Sequence, residues 1–126
     1  MPPFLLVGLG GAIGAMSRYG LSSLLARVWP AGFPFATLLV NILGSLLMGV
    51  LVGLLSRLHP DAQEQARLFL AVGVLGGFTT FSAFSLDTIT LLERGQLLQA
   101  GLYVLLSVAL CLVGLYLGLL VTRGVA

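Results

Sequence analysis

Lysine is absent from this sequence, and cysteine, histidine and tryptophan occur once each. Charged residues make up only 8% of the 126, where an ordinary soluble domain carries about 25%. Each shortage excludes something. A lone Cys111, set in an apolar run, rules out an intrachain disulfide and any CxxC site, and it reads as a small packing residue. His59 stands beside Pro60 in a polar stretch with no second ligand near it, so it reads as solvated rather than metal-binding. The basic residues are the six arginines Arg18, Arg27, Arg57, Arg67, Arg94 and Arg123, scattered along the chain, and the net charge is +2. Nucleic-acid binding needs a clustered basic face, which is missing. The acids Asp61, Glu64, Asp87 and Glu93 do not cluster, and no hydroxyl has a paired base, so no catalytic constellation is visible and an enzyme is not expected.

What is abundant is oil. Hydrophobic residues are 59% of the chain and the mean hydropathy is +1.13. A soluble fold of this length cannot hide so much apolar surface in one core, so the composition predicts an integral membrane protein. The opening MPPFLLVGLG lacks the basic flank of a signal peptide and reads as the start of a permanent span. A helix crosses the hydrocarbon with about 20 apolar residues, and four stretches reach that length: 4–26, 35–56, 66–92 and 98–122. The expected fold is all-α, one transmembrane domain over 1–126. Trp29 falls at a span end, where an amphipathic ring suits headgroup depth. The links RVWPAGFP, RLHPDAQEQ and ERGQL are short, which predicts antiparallel sequential neighbours with both termini on one side.

The arginine count does not orient the chain. Arg57, Arg67 and Arg123 lie on the side of the termini, Arg27 and Arg94 on the other, with Arg18 nearer the latter. Insertion in both directions, with an antiparallel homodimer, and a single orientation set by a weak bias both remain open. Four short helices make a poor pore alone, so an oligomer is expected. Gly10 and Gly14, and Gly114 and Gly118, carry the small-residue spacing of close helix contacts.

Polar residues inside spans need a partner or water. Arg18 is either a snorkelling side chain or a fixed charge that draws anions into a vestibule. Thr37, Asn41 and Ser45 recur every fourth residue on one face of the second span, as Tyr103, Ser107 and Cys111 do on the fourth. Both stripes serve equally as interhelical glue or as a neutral, donor-rich anion path. The third span holds GGFTTFSAFS. Gly76 and Gly77 each weaken a helix by about 1 kcal/mol relative to alanine, while Thr79, Thr80, Ser82 and Ser85 can satisfy freed backbone groups, so a break is expected there. Non-helical backbone at that depth must be covered by protein or line a wet cavity. Phe78, Phe81 and Phe84 could present electropositive ring edges to an anion without trapping it.

Taken together, the glycine-rich first span with its SRY, NILGSLLMG in the second span and GGFTTFSAFSLD in the third resemble the CrcB/Fluc family of fluoride ion channels over essentially the whole chain. The resemblance implies four-helix subunits in an antiparallel, dual-topology homodimer with two fluoride pores. It implies a third helix broken at the dimer centre, where backbone carbonyls, here those of Gly76 and Thr79, hold a structural sodium ion. Phe81 and Phe84 would meet fluoride edge-on, with Asn41, Thr37, Thr80, Ser82, Tyr103 and Ser107 along the pores and Arg18 at the vestibule. Cys111 replaces an expected hydroxyl. The implied role is passive fluoride export across a prokaryotic inner membrane, driven by about 2.3 kcal/mol per charge per 100 mV. The rival small multidrug-type proton antiporters depend on a glutamate in the first helix, and the first span here has no acid.

Overall fold

The computed structural model describes residues 1–29 and 32–123. Among these the chain is helical, without strands. Helix α1 spans Pro3–Val28, opening on a proline whose missing N–H costs nothing in a first turn. Helix α2 spans Phe35–Leu55. Helix α3 is α-helical over Pro60–Ala66, π-helical over Arg67–Leu75 and α-helical again over Gly76–Phe78. After two extended residues, α4 runs Phe81–Glu93 and α5 runs Leu97–Thr122. With α3 and α4 taken as one run, four helical segments are long and apolar enough to cross a membrane.

The third segment begins at Pro60, well before the apolar stretch expected from 66. Hydropathy marks only the greasy part, whereas Pro60 at the helix start and Asp61 in the first turn begin the helix in the polar link. One turn on, Arg67 pairs with Glu64 at 2.8 Å on the exposed surface. At the other end, Gly95 adopts φ +78 and closes α4 in a Schellman motif: Gln96 N–H donates to Leu91 O and Gly95 N–H to Leu92 O, both at 3.0 Å. That tight stop lets α5 start at Leu97.

Burial follows a membrane logic, with small residues inside and leucines outside. Gly10, Gly14, Gly44, Gly49, Gly53, Gly73 and Gly118 are buried, while Leu98, Leu105, Leu112 and Val121 are among the exposed side chains. The tightest contacts join spans two apart. Gly10 lies against Phe69 and Gly73, and Gly14 against Val74 and Phe78, so α1 and α3 run parallel. Gly49 meets Leu115 and Gly53 meets Thr122, so α2 and α5 also run parallel. Sequential neighbours do cross in opposite directions: Gly44 of α2 touches Phe78 and Thr79, while Leu38 clusters with Leu91, Ala100 and Tyr103. Short links fix direction. Where backbones approach most closely is fixed by glycine rows.

A Cβ on Gly14 would fall 2.8 Å from the Val74 carbonyl carbon and 2.9 Å from Phe78 N, both backbone atoms that cannot step aside. Gly14→Val should therefore destabilise the protein in detergent by about 1–3 kcal/mol, read as a lower thermal midpoint. Gly8 has nothing within 4 Å of such a Cβ, and Gly8→Ala should leave the midpoint unchanged or raised.

Candidate functional site

The chain departs from the helix at Thr79 (φ −86, ψ 156) and Thr80 (φ −149, ψ 118). Two extended residues at membrane depth expose peptide groups that lipid cannot satisfy. Asn41, reaching over from α2, satisfies them: its Nδ2 donates to Thr80 O at 3.0 Å, and its Oδ1 accepts from Thr80 N–H at 2.8 Å. A single amide thus replaces both halves of a peptide pair. Thr79 bonds back to Leu75 O through its N–H at 3.0 Å and its hydroxyl at 3.1 Å. Thr80 restarts the helix as N-cap, its Oγ1 accepting from Ala83 N–H at 3.1 Å and lying 3.1 Å from Ser82 Oγ.

The glycines expected to break the helix stay helical. Gly76 and Gly77 form the last turn of α3, and a Cβ on Gly77 would sit 2.6 Å from Gly11 O. Gly77 serves close approach to α1, whereas a Cβ on Gly76 would meet only Ala71 O at 3.5 Å, and the irregular backbone follows both. The extended pair lies within the stretch GGFTTFSAFS, after its glycines rather than at them.

The extended pair opens onto a groove of about 430 Å³. Asn41, Thr79, Thr80, Phe81, Phe84 and Ser107 come together along it, with Ser45 and Cys111. The Phe81 and Phe84 rings are 5.3 Å apart and tilted by 44°, and Phe81 is 78% exposed. Ser107 is buried, yet its Oγ has no hydrogen-bond partner among the described residues. Thr37 lies apart, in a second cleft of about 310 Å³ shared with Asp87, Thr90 and Arg94. Tyr103 is fully buried between the two regions. Its ring packs 5.2 Å from Phe84, and its hydroxyl donates to Asp87 Oδ2 at 3.0 Å. By sequence alone Asp87 stands among the scattered acids and has no role at the site. The signal was available, because it follows Phe84 by three residues and so shares its helix face.

Arg18 sits on the far side of the break, its Nε donating to Gly77 O at 3.1 Å. It caps the carbonyl end of α3, where a cation is favoured. Gly76 O is freed differently. In a continuous helix Thr80 N–H would bond to it, but that donor is turned to Asn41. A released carbonyl at a helix C-terminus, next to the extended Thr79, is the donor chemistry that a hard monovalent cation takes. The Gly76 and Thr79 carbonyls thus fit a sodium ion in chemical kind.

Residues 5–119 match the family described as CrcB-like protein, Camphor Resistance (CrcB). The chain belongs to the CrcB family. Within CrcB relatives, it is 53% identical over 125 residues to a protein of Hyphomonas neptunium named fluoride-specific ion channel FluC, covering 99% of this chain and 98% of the relative. A FluC of Paracoccus denitrificans is 54% identical over 121 residues, covering 96% and 94%. One from Ruminiclostridium cellulolyticum is 48% identical over 120 residues, covering 95% and 92%.

Asn41→Leu keeps the bulk of the side chain but strands the Thr80 N–H and C=O. Unpaired buried groups cost about 1–3 kcal/mol, so the thermal midpoint should fall clearly. Asn41→Gln should lose less, since a longer amide can still reach one of the two groups. Equal midpoints for Asn41→Leu and the parent protein would show that the amide does not hold the break.

Proposed function

We propose that this protein is a fluoride-selective channel of the CrcB family, exporting fluoride passively across a prokaryotic inner membrane and so limiting its toxicity. The observation that carries the reading is the groove: Phe81 and Phe84 line it beside the neutral polar side chains of Asn41, Thr80 and Ser107, with no basic side chain among its described lining residues. A fully charged lining would hold an ion too tightly to pass it on, whereas weak multiple sites favour throughput. Near-full-length identity to proteins named fluoride-specific channels supports the choice of ion. No bond is made or broken, so the protein is a transporter and not an enzyme.

The working unit in this reading is an antiparallel, dual-topology homodimer with the third helix broken at its centre. Support comes from the exposed Phe81 and Ser82 and from the groove-lining Thr79 and Thr80. Hydroxyls and irregular backbone cannot face lipid, so a second protein surface should cover them. A sodium ion held by the Gly76 and Thr79 carbonyls would supply a fixed positive charge tying the two breaks together. Around it, Asn41 fixes the extended backbone, Thr80 caps α4, and Arg18 holds the carbonyl end of α3. Fluoride would pass along Phe81, Phe84, Thr80, Ser82 and Ser107, with Thr37 and Tyr103 toward the second cleft.

Purified protein in liposomes loaded with fluoride should release it when a potassium gradient and valinomycin set the voltage, and should not release chloride. Efflux that needs a proton gradient, or none at all, would refute a channel. Phe81→Ile should cut the flux about tenfold or more, because an aliphatic edge lacks the ring's positive rim, while cross-linking still reports a dimer.

A further inference from the structure

Resting on the channel reading, we propose that Phe33 is a positioning residue for the ion path: from the link ahead of α2 it seats the Tyr103 ring, and through that ring Phe84. Pro34 sets the geometry. Its φ −79 and ψ 63 are those of an inverse γ-turn, closed by Phe35 N–H donating to Phe33 O at 2.8 Å. A proline ring already holds φ near that value, so the turn comes at little cost and fixes the backbone that carries Phe33. From there Phe33 packs against the buried cluster of Leu38, Leu91, Ala100 and Tyr103. It also lines the second cleft, with Thr37 and Asp87.

The rings of Phe33 and Tyr103 lie 5.6 Å apart at 87°, the edge-to-face arrangement that aromatic quadrupoles favour. Tyr103 is fully buried, and its hydroxyl donates to Asp87 Oδ2. That bond pins the tip of the side chain. It leaves the ring plane free to turn, because the torsion that sets the plane has only broad wells of its own. Phe33 and, 5.2 Å away, Phe84 are the aromatic contacts that decide the plane. Phe84 in turn stands 5.3 Å from Phe81. Ring contacts thus run unbroken from Trp29 through Phe35, Phe33, Tyr103 and Phe84 to Phe81. Phe33 is the link that joins the cleft wall to the aromatic pair of the groove.

Fluoride efflux from liposomes and fluorine NMR of protein labelled with fluorotyrosine test this together. The chain has three tyrosines; Tyr19 and Tyr116 are exposed, and the Tyr103 resonance is the one missing from Tyr103→Leu. Phe33→Leu should move the Tyr103 resonance and leave the other two in place. It should lower the flux about two- to tenfold, the factor by which loss of one aromatic edge contact depletes the seated ring. Phe33→Tyr keeps the ring and should keep the flux. In a Tyr103→Leu background, Phe33→Leu should cost no further flux, since the residue it acts through is gone. Phe33→Met carries the expectations of Phe33→Leu should the latter fail to assemble. Unchanged flux in Phe33→Leu or an unmoved Tyr103 resonance overturns the proposal. So does an equal fold-loss in both backgrounds, or a loss in Phe33→Tyr as large as in Phe33→Leu. Parent protein that passes no fluoride refutes the channel reading instead, and the resonance then still decides whether Phe33 seats Tyr103.

Discussion

Everything distinctive in this fold depends on one reciprocal pair, the amide of Asn41 against the peptide of Thr80. A helix in lipid satisfies its own backbone, and abandoning that arrangement costs several kcal/mol for each unpaired group. Here α2 lends the missing partners. The loan is feasible because Gly44, one turn beyond Asn41, has no side chain. A Cβ there would meet Phe78 at 3.1 Å and would collide with the Thr79 methyl. Asn41 and Gly44 therefore act together: one brings the partners and the other brings the backbone near enough to use them. The positions of the Phe81 ring, the Thr80 cap and the freed Gly76 carbonyl all follow from that contact.

The packing around the break explains why it can be held still. Spans two apart run parallel and meet through glycines: Gly10 and Gly14 against α3, Gly49 and Gly53 against α5. Without a hydrophobic drive between helices in lipid, such close approach is the main source of cohesion. The α1–α3 contact grips the segment just before the break. Leu38, Leu91, Ala100 and Tyr103 grip the segment after it, with Phe33, Ile42 and Phe84 packed alongside. The irregular residues lie between two well-anchored stretches.

The spans were legible because hydropathy over about 20 residues is a strong signal. The break was legible as the stretch GGFTTFSAFS but not as the particular residues Thr79 and Thr80, for a physical reason. Glycine lowers helix propensity, but at Gly77 its small size serves contact with Gly11, and the helix persists there. What ends it is competition from an amide 39 residues earlier in sequence, which no local propensity can register. The π-helical turns of Arg67–Leu75 leave no pattern in composition either. The stripes of Asn41 and Ser107 were visible, and the structure treats the two residues differently: Asn41 is hydrogen-bonded, while the buried Ser107 Oγ is unpaired among the described residues. Tyr103 reaches Asp87 across two helices, a pairing invisible to periodicity within either one.

The break also sets two opposite helix ends at one depth. The carbonyl end of α3 carries about half a negative charge and the first turn of α4 about half a positive one. The first end meets cationic chemistry: Arg18 takes Gly77 O, and the neighbouring Gly76 O loses its helical donor, the Thr80 N–H, to Asn41. The second opens beside Phe81 and the groove, where N–H groups and ring rims favour negative charge. A continuous helix would have hidden both poles inside its own hydrogen bonds. Interrupting it at Thr79 and Thr80 separates them, so one short stretch presents carbonyl groups on one side and N–H groups on the other. The arrangement needs no buried acid or base, which accords with a chain in which charge is so scarce.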